Sequence, residues 1–313
     1  MHELIEQYVA FRKSLGERCH TNGNILRAFG RMLGKTTRVT AVRAEQVSAF
    51  LTGRGPITSA WHIKHNALLG FYRYAITRGY VTSAPLPVVI PKRPPAFVPY
   101  IYSLDELQRL LHATDSYQHN RSCMEPVTVR TLLLLMYATG LRIREVVALN
   151  RGDVDLDDSL LTIRQTKFYK TRLVPFQPRL ASVLTQYVAR YGDQLAPTDA
   201  APFFTKRSGD RVNQNTLEHC FRRLCEHAGI QRSDGARYQP RLHDVRHTFA
   251  VHRLTSWYRQ GANVQQLLAQ LSVYLGHVHL AATQVYLSMT PELLREASVR
   301  FDRYVSDEGC HDG

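Results

Sequence analysis

No aspartate occurs in the first 95 residues of this 313-residue chain, and only four glutamates do, against 14 lysines and arginines. The local charge there is +10, so the N-terminal third is the basic part of the chain. The rest of the chain sets 26 basic residues against 22 acidic ones and supplies only +4 of the total +14. Long apolar runs are missing as well: "LLLLMYA" at 132–138 falls far short of the roughly 20 residues that cross a bilayer. The opening "MHELIEQYVAFRK" has no apolar core of a signal peptide. A soluble, cytoplasmic protein is expected. Five cysteines, at 19, 123, 220, 225 and 310, form no CxxC pair, which argues against a disulfide framework and against a zinc site. Internal repeats and low-complexity tracts are absent too.

What is present begins with that charge asymmetry. A basic N-terminal third favours a polyanionic partner, nucleic acid above all, because each neutralised phosphate releases counterions. An acidic membrane surface is a poorer match, since no terminal segment is strongly amphipathic. A merely soluble basic surface is the bland alternative.

Apolar residues at helical spacing predict helices over 3–14, 22–33, 43–52 and 57–78, the last carrying Trp61, Leu68, Phe71 and Ala75. In "WHIKHNALLGFYRYAITRGY" basic and aromatic residues interleave, which suits phosphate contacts on one face as well as it suits an ordinary amphipathic helix. Six prolines between 85 and 99 then forbid helix and hold the chain extended. The expected boundaries are a helical domain over 1–84, a linker over 85–102 and a second domain over 103–313. That second domain opens on "SLDEL", where Ser103 and Glu106 form a capping-box signature. Helices are predicted near 126–138 and 142–150, two short strands at 160–165 and 172–176, and further helices over 178–190, 213–228, 243–260, 263–271 and 291–304. The fold class is therefore mainly α, with an α+β second domain built around one small antiparallel sheet.

Three polar groupings interrupt this second domain. In "ATGLRIREVVAL", Arg142 and Glu145 share a helix face; in "RLHDVRHTFAVH", His243 and Arg246 do the same at a helix start, with His247 and His252 further along. In "YLGHVHLAATQVYLSM", His277 stands nine residues before Tyr286. Singly, each has a structural explanation: an Arg142–Glu145 bridge, a core tyrosine, or a His243/His247 pair at zinc spacing. The metal reading lacks a third ligand and a HExxH glutamate.

Together the three groupings resemble the tyrosine recombinase (phage integrase) family. "ATGLRIRE" is similar to its first arginine box, "LHDVRHTFA" to its His-x-x-Arg box, and "LGHVHLAATQVY" to its histidine-then-tyrosine box. Between them "KFYKTRLVP" resembles the hairpin segment in which the family's lysine precedes an R-x-V-P tail, which assigns that role to Lys167, with Lys170 the nearby competitor. The resemblance implies a tyrosine recombinase fold, with a SAM-like core-binding domain before the catalytic one. It implies a site of Arg142, Lys167, His243, Arg246, His277 and the nucleophile Tyr286, supported by Glu145. It implies no metal and no cofactor. Its partner is double-stranded DNA carrying recombination sites, bound by a homo- or hetero-tetramer.

The chemistry fits the residue types. Charge that builds on two nonbridging phosphate oxygens is matched by two guanidiniums that never lose theirs, and the resemblance adds His277 as a further donor. A phenol near pKa 10 needs that cationic surrounding and a base, for which His243 is placed. Lys167 would protonate the departing 5′-oxygen. "PELLREASVRFDRYV" sets Leu293, Leu294, Ala297, Phe301 and Tyr304 at helical spacing; by resemblance this helix docks on a neighbouring subunit, and packing on its own domain is the alternative. A mobile-element integrase is the preferred role. A chromosome- or plasmid-dimer resolvase, a type IB topoisomerase and a non-enzymatic DNA-binding accessory protein are the rivals.

Overall fold

The computed structural model describes the chain apart from residues 18, 35, 95–96, 118–121, 165–170, 192–197, 237, 278, 289–292, 297 and 300–313. Two compact units divide it, Met1–Phe97 and Val98–Gly313.

Among the described residues of the first unit the α-helices are α1 (His2–Ser14), α2 (His20–Leu33), α3 (Ala44–Thr52) and α4 (Ser59–Thr77). Their apolar faces meet in one core of Ile5, Leu26, Phe29, Val47, Leu51, Leu68 and Phe71. Thr58 caps α4 by accepting from the Ala60 amide, so the helix starts two residues later than its apolar pattern does. Arg31, Arg54 and Arg73 all stay on the surface of this unit.

In the second unit α5 (Leu104–Tyr117) begins at the capping box read from the sequence. The Ser103 amide donates to Glu106 Oε2 at 2.8 Å and the Glu106 amide to Ser103 Oγ at 3.1 Å. Next come α6 (Pro126–Thr139), α7 (Ile143–Ala148) and a three-stranded antiparallel sheet, β1 (Val154–Asp155), β2 (Leu160–Ile163) and β3 (Arg172–Pro175). Ile163 pairs with Arg172, so residues 164–171 connect β2 to β3. The chain continues through α8 (Pro178–Tyr191), α9 (Gln214–His227), α10 (Asp244–Arg259), α11 (Val264–Leu275) and α12 (Ala281–Gln284). The two-residue β1 was not among the predicted strands; it is too short to carry a period-2 pattern.

The central helix α6 is apolar almost all round and packs against α5, α8 and α10. It ends on Gly140, whose φ of +61° is a left-handed cap. Only glycine fits there for a second reason: an added Cβ would stand 2.4 Å from Phe249 Cδ1. The close approach brings the end of α6 onto α10 and α11, where the polar groupings lie.

Among the described residues no helix is long and apolar enough to cross a membrane, and no group of three or more His, Cys, Asp or Glu side chains is placed to hold a metal ion.

Candidate active site

Two helix C-termini and two helix N-termini converge here. The last carbonyls of a helix lack intrahelical partners and carry the negative end of its dipole. In this fold they accept from arginines. Arg246, in the first turn of α10, donates to Gly140 O at the end of α6 and to Leu275 O at the end of α11, both at 2.7 Å. Arg142, just before α7, donates to Gly276 O at 3.0 Å. Gly276 caps α11 in the left-handed conformation, as Gly140 caps α6.

Arg246 is only 2% exposed, and among the described residues no carboxylate bonds it. Burial, followed by the like charge of Arg142, lowers its pKa to about 10, which still leaves it charged at neutral pH. Its Nη2 also lies 3.0 Å from His277 Nε2. A guanidinium nitrogen can only donate, so Nε2 accepts and the ring proton sits on Nδ1, which faces Thr283 Oγ1 at 2.7 Å. Burial, then Arg246, pushes the His277 pKa down to about 4, so the ring is neutral here. In this arrangement His277 is an acceptor toward Arg246, whereas the family resemblance gives it the part of a donor to phosphate. The two states differ by one proton on Nε2.

Glu145 does not simply pair with its helical neighbour. Arg142 reaches it through Nη1 at 3.0 Å and its own amide at 3.0 Å, but Arg172, at the start of β3, grips both carboxylate oxygens, at 2.9 and 2.8 Å. Burial alone would raise the Glu145 pKa; the hydrogen bonds and charge of Arg172, joined by Arg142, outweigh it and bring it to about 2. One carboxylate thus serves two arginines, and the third arginine has none. The cluster keeps an excess of positive charge.

Tyr286 closes the arrangement. It is 3% exposed and belongs to the apolar cluster of Phe249, Leu254, Leu271 and Leu293. Its ring stacks on His277 with centroids 6.1 Å apart and leans on His247 at 5.6 Å. Burial raises the pKa of its phenol, while the charge and hydrogen bonding of Arg246, and the charge of Arg142, pull it down. His243, the residue that precedes α10, sits edge-on to His247 at 5.1 Å. Its pKa is lowered by burial and by Arg246 and Arg241, so it is available as a proton acceptor. His247 is pushed to about 3, chiefly by burial, and its Nδ1 is buried without a hydrogen-bond partner.

The fold therefore gathers Arg142, Glu145, His243, Arg246, His277 and Tyr286 in one place. Lys167 and Lys170 lie outside the described residues. Two further members were not read from the sequence as site residues, Arg172 and Thr283, while His247, weighed there as a zinc ligand beside His243, lies against the ring of Tyr286. Arg172 stood in the R-x-V-P tail, and a charged side chain beginning a half-buried strand was its available signal. Nothing in the sequence marked Thr283. Tyr274, the other tyrosine near the end of the chain, donates its hydroxyl to Pro175 O at 3.0 Å and is shifted to about 12 by burial. The C-terminal segment begins on its own domain: Leu293 is fully buried in the Tyr286 cluster and Arg259 Nε donates to Glu296 at 2.9 Å. Phe301 and Tyr304 lie outside the described residues.

Two arginines held by carbonyls, a neutral histidine between one of them and a phenol, and an excess of positive charge make up the candidate site. The phage integrase family matches residues 102–292, and the chain belongs to that family. It is a site-specific tyrosine recombinase, an enzyme that breaks and rejoins DNA strands without metal or ATP. The integrase/recombinase-type protein y4rB of Sinorhizobium fredii is 34% identical over 310 residues, covering 97% of this chain and 98% of the relative. Tyrosine recombinase XerC of Chlamydia caviae is 28% identical over 231 residues, 74% of this chain and 68% of that one. Among solved structures, the Tn1549 transposon integrase in complex with transposon right end DNA shares the fold with a TM-score of 0.68 at 15% identity, covering 96% of this chain and 98% of that one. A lambda integrase dimer bound to a COC′ core site does so with a TM-score of 0.66 at 15% identity, over 92% and 77% of the two chains.

Proposed function

We propose that the chain recombines DNA for a mobile element, with Tyr286 as nucleophile and Arg142 and Arg246 as the phosphate clamp. The observation that carries this reading is Arg246: a buried, charged guanidinium with no carboxylate bonded to it among the described residues, beside the phenol of Tyr286. A scissile phosphate supplies the missing negative charge. Carbonyl oxygens hold the guanidinium in place beforehand, so little reorganisation is needed as charge grows on the nonbridging oxygens.

Each step balances. Tyr286 Oη attacks phosphorus and its proton passes to neutral His243. The bond from phosphorus to the 5′-oxygen breaks, and Lys167 protonates that oxygen. The product is a 3′-phosphotyrosyl link and a free 5′-hydroxyl. Rejoining runs the same steps backward on a 5′-hydroxyl from the exchanged strand; the tyrosyl ester retains the energy of the bond. His277 joins the clamp once a bound phosphate takes the place of its bond to Arg246 and Nε2 carries a proton. The basic helical unit, residues 1–84, grips duplex DNA, and the linker over 85–102 leads from it to the catalytic part. Assembly is a tetramer on paired sites, in the cytoplasm. The lambda integrase tetramer bound to a Holliday junction, a neighbour in fold, is such an assembly.

The integrase role is favoured by y4rB, which matches nearly end to end; the Xer relatives keep dimer resolution as the second reading. A two-site plasmid assay separates recombination from topoisomerase-like relaxation. The chemistry itself is tested on a nicked suicide duplex. Tyr286→Phe is expected to abolish the covalent protein–DNA adduct and to leave duplex affinity within about threefold of wild type, a free-energy change under roughly 1 kcal/mol. Adduct surviving in Tyr286→Phe would move the nucleophile elsewhere, with Tyr274 the first alternative.

A further inference from the structure

Arg172 sits where three parts of the site meet. Its Nη1 and Nη2 hold both oxygens of Glu145, the carboxylate of the first arginine box. Its Nε donates to Tyr274 O at 3.1 Å, in the last turn of α11 just before His277. Gly276 makes room for it: a Cβ there would stand 2.8 Å from Arg172 Nη1. The Arg172 and Glu145 side chains are only 13% and 10% exposed, so the pair is shielded from water and salt. A forked, bidentate guanidinium–carboxylate contact also fixes direction as well as distance.

Arg172 opens β3, and Lys167 lies five residues before it in the connection from β2. The other stem of that connection is held by a second pair, Arg164 Nε to Asp153 at 2.5 Å, but there the arginine side chain is 60% exposed. Asp153 is buried there, but an arginine left that far in water loses part of the pairing to solvent. The buried pair at Arg172 is the firm anchor.

Building on the role given above to Lys167, we propose that Arg172 is a positioning residue: it ties the β3 end of the lysine-bearing connection to Glu145 and to the end of α11, and so registers the leaving-group acid with the phosphate clamp. Arg172 itself touches no reacting atom. Its contribution passes through Lys167 and belongs to protonation of the 5′-oxygen.

That route gives the proposal a chemical test. A 5′-sulfur in place of the bridging 5′-oxygen leaves as a thiolate and needs no acid, because a thiol is far more acidic than an alcohol. Full-length wild type, Arg172→Gln, Arg172→Lys and Lys167→Ala are each compared on suicide duplexes with oxygen or sulfur at that position. Arg172→Gln is expected to cleave the oxygen substrate on the order of 100-fold more slowly, the scale of general acid catalysis. On the sulfur substrate it should return to within about 10-fold of wild type, with Lys167→Ala behaving alike. Arg172→Lys, which cannot grip a carboxylate with two parallel bonds, is expected to fall between, and it carries the test if the glutamine variant does not fold.

Full cleavage of the oxygen substrate by Arg172→Gln, or no sulfur rescue of that variant, overturns the proposal whatever Lys167 does. Rescue of Arg172→Gln without rescue of Lys167→Ala keeps Arg172 as the anchor and moves the acid to Lys170. The failure of one assignment is thus distinguishable from the failure of the other.

Discussion

Arg246 and Glu145 show how a buried charge is made tolerable in two different ways. Arg246 loses nearly all its water and is compensated by the carbonyl ends of two helices, a partial negative charge that cannot be titrated away. Glu145 is compensated by two full positive charges, Arg172 and Arg142, and its pKa falls to about 2. The second arrangement has a consequence in acid. A carboxylate whose folded pKa lies below its unfolded value near 4.5 contributes stability that is complete above about pH 4.5 and is lost as pH falls toward 2. Over that interval the linkage is on the order of 3 kcal/mol. Glu145→Gln is therefore expected to be less stable than wild type at neutral pH, with the gap narrowing as pH drops from about 4.5. Urea unfolding of both proteins at a series of pH values checks it; a gap that stays constant into acid would mean that the charge of Glu145 is not what holds the arginines.

Among elements, the governing feature is the pair of left-handed glycine caps, Gly140 on α6 and Gly276 on α11. Each turns the chain sharply, so that a carbonyl at the helix end points at a site arginine, and each leaves no space for a side chain. Gly276→Ala forces a left-handed alanine, worth roughly 1–2 kcal/mol, and drives its methyl into the Arg172 guanidinium. Such a variant is expected to melt at lower temperature and to lose adduct formation on the suicide duplex more steeply than duplex affinity. An alanine variant with wild-type cleavage would show that Arg172 can move without consequence.

Much of this element layout was legible beforehand. α5 was readable because Ser103 and Glu106 are a local cap, and Arg142, His243, Arg246, His277 and Tyr286 because their spacing within each box survives translation along the chain. Arg172 was not, because its partner Glu145 lies 27 residues away and only the folded sheet brings them together. Thr283 escaped for a similar reason: a threonine six residues past His277 has no periodic meaning until the turn between α11 and α12 folds Oγ1 back onto Nδ1. β1 is too short for its pattern to register. What a window of sequence cannot contain is a contact made across elements.

At the scale of the whole molecule, charge is divided from chemistry. The first 95 residues hold most of the net positive charge, while Arg142 and Arg246 lie beyond residue 140 and are largely spoken for by carbonyls and Glu145. Non-specific affinity for duplex should then come chiefly from the first unit, and cleavage from the second. Replacing the exposed Arg31, Arg54 and Arg73 together by Gln is expected to flatten the dependence of log affinity on log salt by about one for each phosphate that is no longer neutralised. The cleavage rate at saturating protein should change little. A salt slope unaltered by the triple change would put the electrostatic footprint elsewhere on the molecule.

The central claim, that the phenol beside Arg246 is the group that takes the DNA, is tested most directly on the covalent intermediate itself. Adduct trapped on a nicked suicide duplex can be trimmed with nuclease and fragmented by tandem mass spectrometry. The residual nucleotide is expected on Tyr286. A nucleotide on Tyr274, or on any residue outside the ring of Arg142, Arg246 and His277, would contradict the site described here.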